Sequence, residues 1–297
     1  MKSVIRWGIL RYMRLLLKLI SHRSLLLFKA VSFVLLAVMF GGSEARARHL
    51  TAAQSNQQLT PIQRELDRQR QLLKSEDIEA RRDALMRLAN LKRPDASRIA
   101  ATGLSDVAPI VRVTATHAIL SLPQAEAAAL LIPLLQDKME FVRRETAYAL
   151  GETRSHSATA PLENVLLNDK EIGVRAAAAV ALGEIGDESS VQSLSQVLSG
   201  QPEKKKKKAK AGSSEFVMRA AARSLGQIKS RSSVGILIAT LTNDANYSDV
   251  KREAAMALGL IGDPSAVPAL QTAFTSSDPY LSEAARLALR RLRAAKN

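Results

Sequence analysis

The chain has 297 residues, 46% hydrophobic but only 4% aromatic, no cysteine, and a formal charge of +15. The missing cysteine excludes disulfides, thiol catalysis and cysteine-ligated metals, and few aromatic residues in an Ala- and Leu-rich chain favour close-packed helices over a sandwich or barrel. The charge is localised: residues 1–47 hold eight Lys/Arg against Glu44 alone, residues 201–215 hold six lysines against two acids, and the rest is nearly balanced. No continuous basic face for a phosphate backbone results, so specific nucleic-acid binding is not expected.

At the N-terminus no acid precedes Glu44, an apolar run spans Ala30 to Gly42, and Ala45-Arg46-Ala47 follows. That is the order of a secretory signal, with a basic start, a short apolar core and a small-residue cleavage site. The 13-residue run falls short of the roughly 20 apolar residues of a bilayer span. Extended back through Leu25 to Phe28 it becomes a retained anchor that includes Lys29, and Met13 offers an alternative start. Residues 1–47 are therefore read as a signal peptide or membrane anchor, and residues 48–59 as a polar linker. Positive charge before the apolar run keeps the N-terminus in the cytoplasm and places everything after Ala47 outside it, periplasmic or secreted.

Residues 60–297 form one array. Thr60-Pro61-Ile62-Gln63 is a capping-box pattern that opens a helix through about Lys74. A ten-residue block then recurs: VRRETAYALG from Val142, VRAAAAVALG from Val174 and VKREAAMALG from Val250, with looser copies at Ala80, Val111, Val217 and Leu281. The starts step by 31, 31, 32, 43, 33 and 31 residues. Seven units at a near-constant period mean a solenoid, since each unit is too small to bury its apolar face alone.

Within one unit, Val174, Ala178, Ala181, Leu182 and Ile185 share one face of an α-helix. Down the seven copies the fifth position is small and the ninth is Leu or Ile, a pairing that lets helix axes approach closely. Gly186 and Gly262 suit left-handed caps, with Asp187 and Asp263 as N-caps of the next helix and Pro264 at its first position. Each unit is thus helix A, turn, helix B. Gly151, Gly183, Gly226 and Gly259 recur near the end of helix B despite a cost of about 1 kcal/mol each. Their recurrence predicts a neighbouring backbone passing close by.

The motif VRxxAxxALGxIGD followed by a second apolar helix resembles HEAT-like repeats of the phycobilisome-lyase type, from Thr60 to about Arg293. The resemblance implies an all-α, right-handed α-solenoid of about seven two-helix repeats, with B helices lining a concave surface that holds partners. It also implies that Asp106/Arg112, Asp137/Arg143 and Asp169/Arg175, with Asp244/Lys251 as a near match, tie adjacent repeats together rather than bind ligand.

The third and seventh positions of helix B lie off the packing face and point together. Among them Arg82, Arg144, Arg219 and Arg252 come from the third column, and His117, Tyr148, Arg223 and Met256 from the seventh. These are the candidate partner contacts, since Arg and Tyr favour interface hot spots. The insertion from Gly200 to Glu215 carries Lys204, Lys205, Lys206, Lys207, Lys208 and Lys210 as candidate contacts to anionic lipid or envelope polymer.

No histidine is followed by glutamate, unlike the di-iron hydroxylases of this repeat class, and no nucleophile elbow, phosphate loop or carboxylate cluster at ligand spacing is present. No catalytic, cofactor or metal residue is assigned and no cofactor is expected. The resulting expectation is an exported, non-catalytic adaptor for a protein or peptide partner. A HEAT-like oxidoreductase or chromophore lyase and a membrane-surface tether are the alternatives.

Overall fold

The computed structural model describes residues 59–200 and 213–294. The expected targeting segment, the linker through residue 58 and the lysines 204–208 and 210 lie outside the described residues. The described residues from Leu66 onward belong to one compact unit. Among the described residues there are fourteen α-helices and no strand, and no helix is long and apolar enough to cross a membrane.

The first helix, α1 (Pro61–Leu72), opens on the expected capping box, in which Gln63 N–H donates to Thr60 Oγ1 and Thr60 N–H to Gln63 Oε1 (3.3 and 2.9 Å). It ends two residues short of Lys74. The remaining A helices are α3 (Pro94–Ala100), α5 (Gln124–Leu131), α7 (Thr159–Asn168), α9 (Val191–Leu198), α11 (Val234–Thr242) and α13 (Val267–Phe274). The B helices are α2 (Ile78–Asn90), α4 (Pro109–Ala118), α6 (Glu140–Thr153), α8 (Ile172–Ile185), α10 (Ser213–Ile228), α12 (Ser248–Ile261) and α14 (Pro279–Ala294). Gly186 and Gly262 hold left-handed caps at φ +74° and +79°. Asp187 and Asp263 cap the 3₁₀ turns Glu188–Ser190 and Pro264–Ala266 rather than α-helices directly, so a short 3₁₀ segment intervenes before α9 and α13.

The fold is an all-α solenoid whose core is the stripe read from the repeat. The fifth-position residues Ala84, Ala115, Thr146, Ala178, Ala221, Ala254 and Ala285 are all fully buried, as are the ninth-position side chains from Leu88 to Leu258. Each such leucine contributes about 2 kcal/mol on removal from water. Leu289 of the last helix is only half-buried, because no further B helix covers it among the described residues.

The two layers pack unequally. From α6 to α14 successive B helices lie in extensive contact, whereas neighbouring A helices touch only slightly. The recurrent glycines explain the difference. A Cβ at Gly226 would come 2.8 Å from the Cα of Ala257, and one at Gly259 would come 2.7 Å from the Cα of Ala288. Backbone cannot retreat as a flexible side chain can, so glycine is required there. Between α8 and α10, where Gly183 faces Ser224, Ser224 Oγ donates to Ala179 O at 2.7 Å.

Candidate functional site: the exposed face of the B helices

Two rows of polar side chains run along the B layer, and they do different things. The inner row is the arginine in the second position of the block. Arg81, Arg112 and Arg143 are nearly buried, and each forks onto an aspartate of the following repeat: Asp106, Asp137 and Asp169, with Nε–Oδ2 distances of 2.7 Å. The second arm of each fork is Nη2–Oδ1 at 2.9, 2.8 and 3.0 Å. Each aspartate also accepts a backbone N–H two residues ahead, from Ala108, Met139 or Glu171, and so shapes the turn before its own helix.

Burial alone would raise these three carboxyl groups. The paired guanidinium, the accepted N–H and the surrounding positive charge outweigh it and hold all three below the ordinary aspartate range.

This corrects the expected partnering. Asp106 and Arg112 do meet, but through the aspartate's backbone carbonyl, which accepts from Arg112 Nη1 at 2.8 Å; the carboxylate belongs to Arg81 of the repeat before. The ladder therefore ties repeats together over 25 or 26 residues, not within one block. It changes character after Asp169. Arg175 Nε donates to Leu166 O at 2.8 Å, and Lys251 Nζ reaches Asp244 of its own repeat at 3.2 Å.

The outer row holds the candidate partner contacts. His117 is exposed and Arg144 close to it, and both approach Glu145, at 3.9 and 3.1 Å. Arg82 pairs with Glu79 of its own helix at 2.7 Å. Arg223 donates to the buried Glu253 of the next repeat at 2.5 Å, and Arg219 and Arg252 converge on Asp249. Tyr148 and Met256 are half-buried beside them. The surface read as Arg-rich is thus largely neutralised by acids from its own and neighbouring helices.

The sequence reading missed the residue just before the block. In four of the seven copies it is Ile110, Phe141, Phe216 or Tyr280, and Phe216 and Tyr280 are 62% and 69% exposed. Their shared phase in a chain so poor in aromatics was the available signal. Tyr280 lies under the Arg252 guanidinium, 5.3 Å from ring centroid to Cζ.

Elsewhere, an open pocket of about 330 Å³ lies beside Asn164, Asn168 and Lys170, but its floor is the already saturated Arg143–Asp169 pair. At the turn into α9, Asp187 accepts from Ser189 N and Oγ, Thr159 Oγ1 and His156, which pull its carboxyl down to about 2. Among the described residues no group of three His, Asp or Glu could hold a metal ion.

Stacked helix pairs with a tight B layer and a neutralised, partly aromatic outer face define an α-solenoid. A model of HEAT repeats matches residues 66–149, 140–211 and 206–290, and the chain belongs to the HEAT-repeat family. Comparison with curated proteins gave no match.

Among solved structures, the Escherichia coli protein YibA is similar at 19% identity and TM-score 0.53, over 78% of this chain and 82% of that one. The CpcE–CpcF phycocyanin lyase complex of Nostoc sp. PCC7120 is similar at 21% identity and TM-score 0.46, over 81% and 89%. Human deoxyhypusine hydroxylase is similar at 20% identity and TM-score 0.38, over 78% and 96%. The expectation that this chain is not an enzyme is overturned here. A repeat scaffold does not fix function, so membership of the HEAT-repeat family gives no ground for excluding catalysis.

Proposed function

We propose that the array holds a protein or peptide partner along the outer face of its B helices, and that it does so outside the cytoplasm. The observation that supports this is the seventh column. Met86, Tyr148, Val180, Met256 and Leu287 remain partly or wholly exposed, while the fifth-position residues of the same helices are fully buried. Flanking charges are already paired, so the surface is organised before a partner arrives and little ordering cost falls on this side. The extracytoplasmic location rests on the basic, acid-free start and apolar run of residues 1–47.

Photo-crosslinking tests the binding face. A benzophenone side chain at position 148 or 256 should trap the partner, while one at Leu130, which is exposed on an A helix, should not. Equal yields from both layers would reject the B face. A reporter fused after residue 297 that is active only in the cytoplasm would reject export.

A further inference from the structure

Among the described residues of the B face, His117 and Arg144 share Glu145, and at one further place two arginines share a single carboxylate. Arg82 has Glu79, and Arg223 has Glu253. At the boundary between α10 and α12, Arg219 and Arg252 share the single carboxylate of Asp249, with Arg219 Nη1 at 3.3 Å from Oδ2. No other carboxylate among the described residues lies within ion-pair distance of the two guanidinium groups. A guanidinium carries five N–H donors, so two of them greatly exceed what one carboxylate can accept. Arg219 Nε and Arg252 Nε are both buried without a hydrogen-bond partner, as is Arg82 Nε, but only the first two belong to guanidinium groups that share one carboxylate. Neither side chain is sealed off: they are 35% and 27% exposed. Phe216 and Tyr280, the two most exposed aromatic side chains of the B layer, stand one turn before Arg219 and one repeat beyond Arg252.

We propose that Arg219 and Arg252 form an anchor for a carboxylate side chain of the bound polypeptide, with Phe216 and Tyr280 receiving apolar residues on either side of it. This rests on the reading of the B face as the binding face. Asp249 is then the internal counter-ion that keeps the two guanidinium groups apart and oriented while the site is empty. An arriving carboxylate completes the pairing, because arginine accepts planar anions in fork geometry and its neighbours are apolar enough to strengthen the contact. The partner is accordingly an acidic segment whose Asp or Glu is flanked by aromatic or aliphatic residues.

Fluorescence anisotropy on the full chain tests this with a fluorescein-labelled peptide of four Glu-Phe-Gly units, and with versions carrying Gln or phosphoserine for Glu. The Glu peptide should bind at least about tenfold more tightly than the Gln peptide. Asp249→Asn removes the competing carboxylate and should tighten the Glu peptide about three- to fivefold, the scale of an exposed ion pair. The double variant Arg219→Gln/Arg252→Gln should weaken it about tenfold. Circular dichroism confirms that each variant folds.

Equal binding of the Glu and Gln peptides, or an unchanged Kd for Asp249→Asn, would overturn the proposal. Binding of the phosphoserine peptide alone would overturn the carboxylate assignment. If Tyr148→Ser abolishes binding while the double arginine variant does not, the B face stands and the anchor falls. If neither substitution matters, both readings fall.

Discussion

The two ends of this solenoid are held together by different forces. From α2 to α8 successive repeats are stitched by nearly buried Arg–Asp forks, and the B helices α2, α4 and α6 touch one another only moderately. From α6 to α14 the fork is lost after Asp169 and the B helices press close through their glycines, Gly151, Gly226 and Gly259 against alanine backbone and Gly183 against the Ser224 side chain. The A helices change with them. α3 and α5 end in the 3₁₀ turns Ala101–Ser105 and Ile132–Gln136, whereas α7, α9, α11 and α13 are each preceded by one. A repeat boundary can thus be secured by a directional polar clamp or by shape alone, and the boundary from α6 to α8 uses both.

Acid should separate the two ends most strongly. The carboxyls of Asp106, Asp137 and Asp169 are lowered in the folded chain. Their stabilisation is complete above the unfolded aspartate value of about 3.9 and disappears as pH falls from there through the folded values. Hydrogen exchange on acidification below pH 4 should therefore open α2 to α6 before α12 and α14. Simultaneous opening would break the contrast.

Single substitutions sharpen it. Asp137→Ala strands the buried Arg112 guanidinium and should cost about 3 kcal/mol in urea unfolding. Gly226→Ala forces a Cβ onto the Ala257 backbone and should cost about 2 kcal/mol, even though alanine is the better helix former. The equivalent position in the first repeat is already Ala89, which shows how local that requirement is.

Thr146 sits alone among alanines in the fifth column, fully buried, with its hydroxyl lacking a partner. Thr146→Val keeps the volume, removes that hydroxyl and should raise stability by about 1 kcal/mol. Asp244→Ala should change stability by less than about 0.5 kcal/mol, because its pair with Lys251 is held by a fully exposed carboxylate. A loss comparable to that of Asp137→Ala would mean the clamp persists at the C-terminal end in another form.

Much of this was legible in the residues. Period, helix pairing, the Ala and Leu stripe, the left-handed glycine caps and the close approach at Gly151, Gly183, Gly226 and Gly259 all follow from local spacing. Each depends on which residues share a face of one helix, and 3.6 residues per turn decides that. What only the stacked structure decided is which acid each arginine takes. Asp106 lies six residues before Arg112 and twenty-five after Arg81, and spacing alone favours the nearer partner. Packing of one repeat on the next sets the tilt and register of their turns, and these bring the farther guanidinium to the carboxylate. The same tertiary step neutralised most of the outer arginines and left the surplus cation beside Asp249.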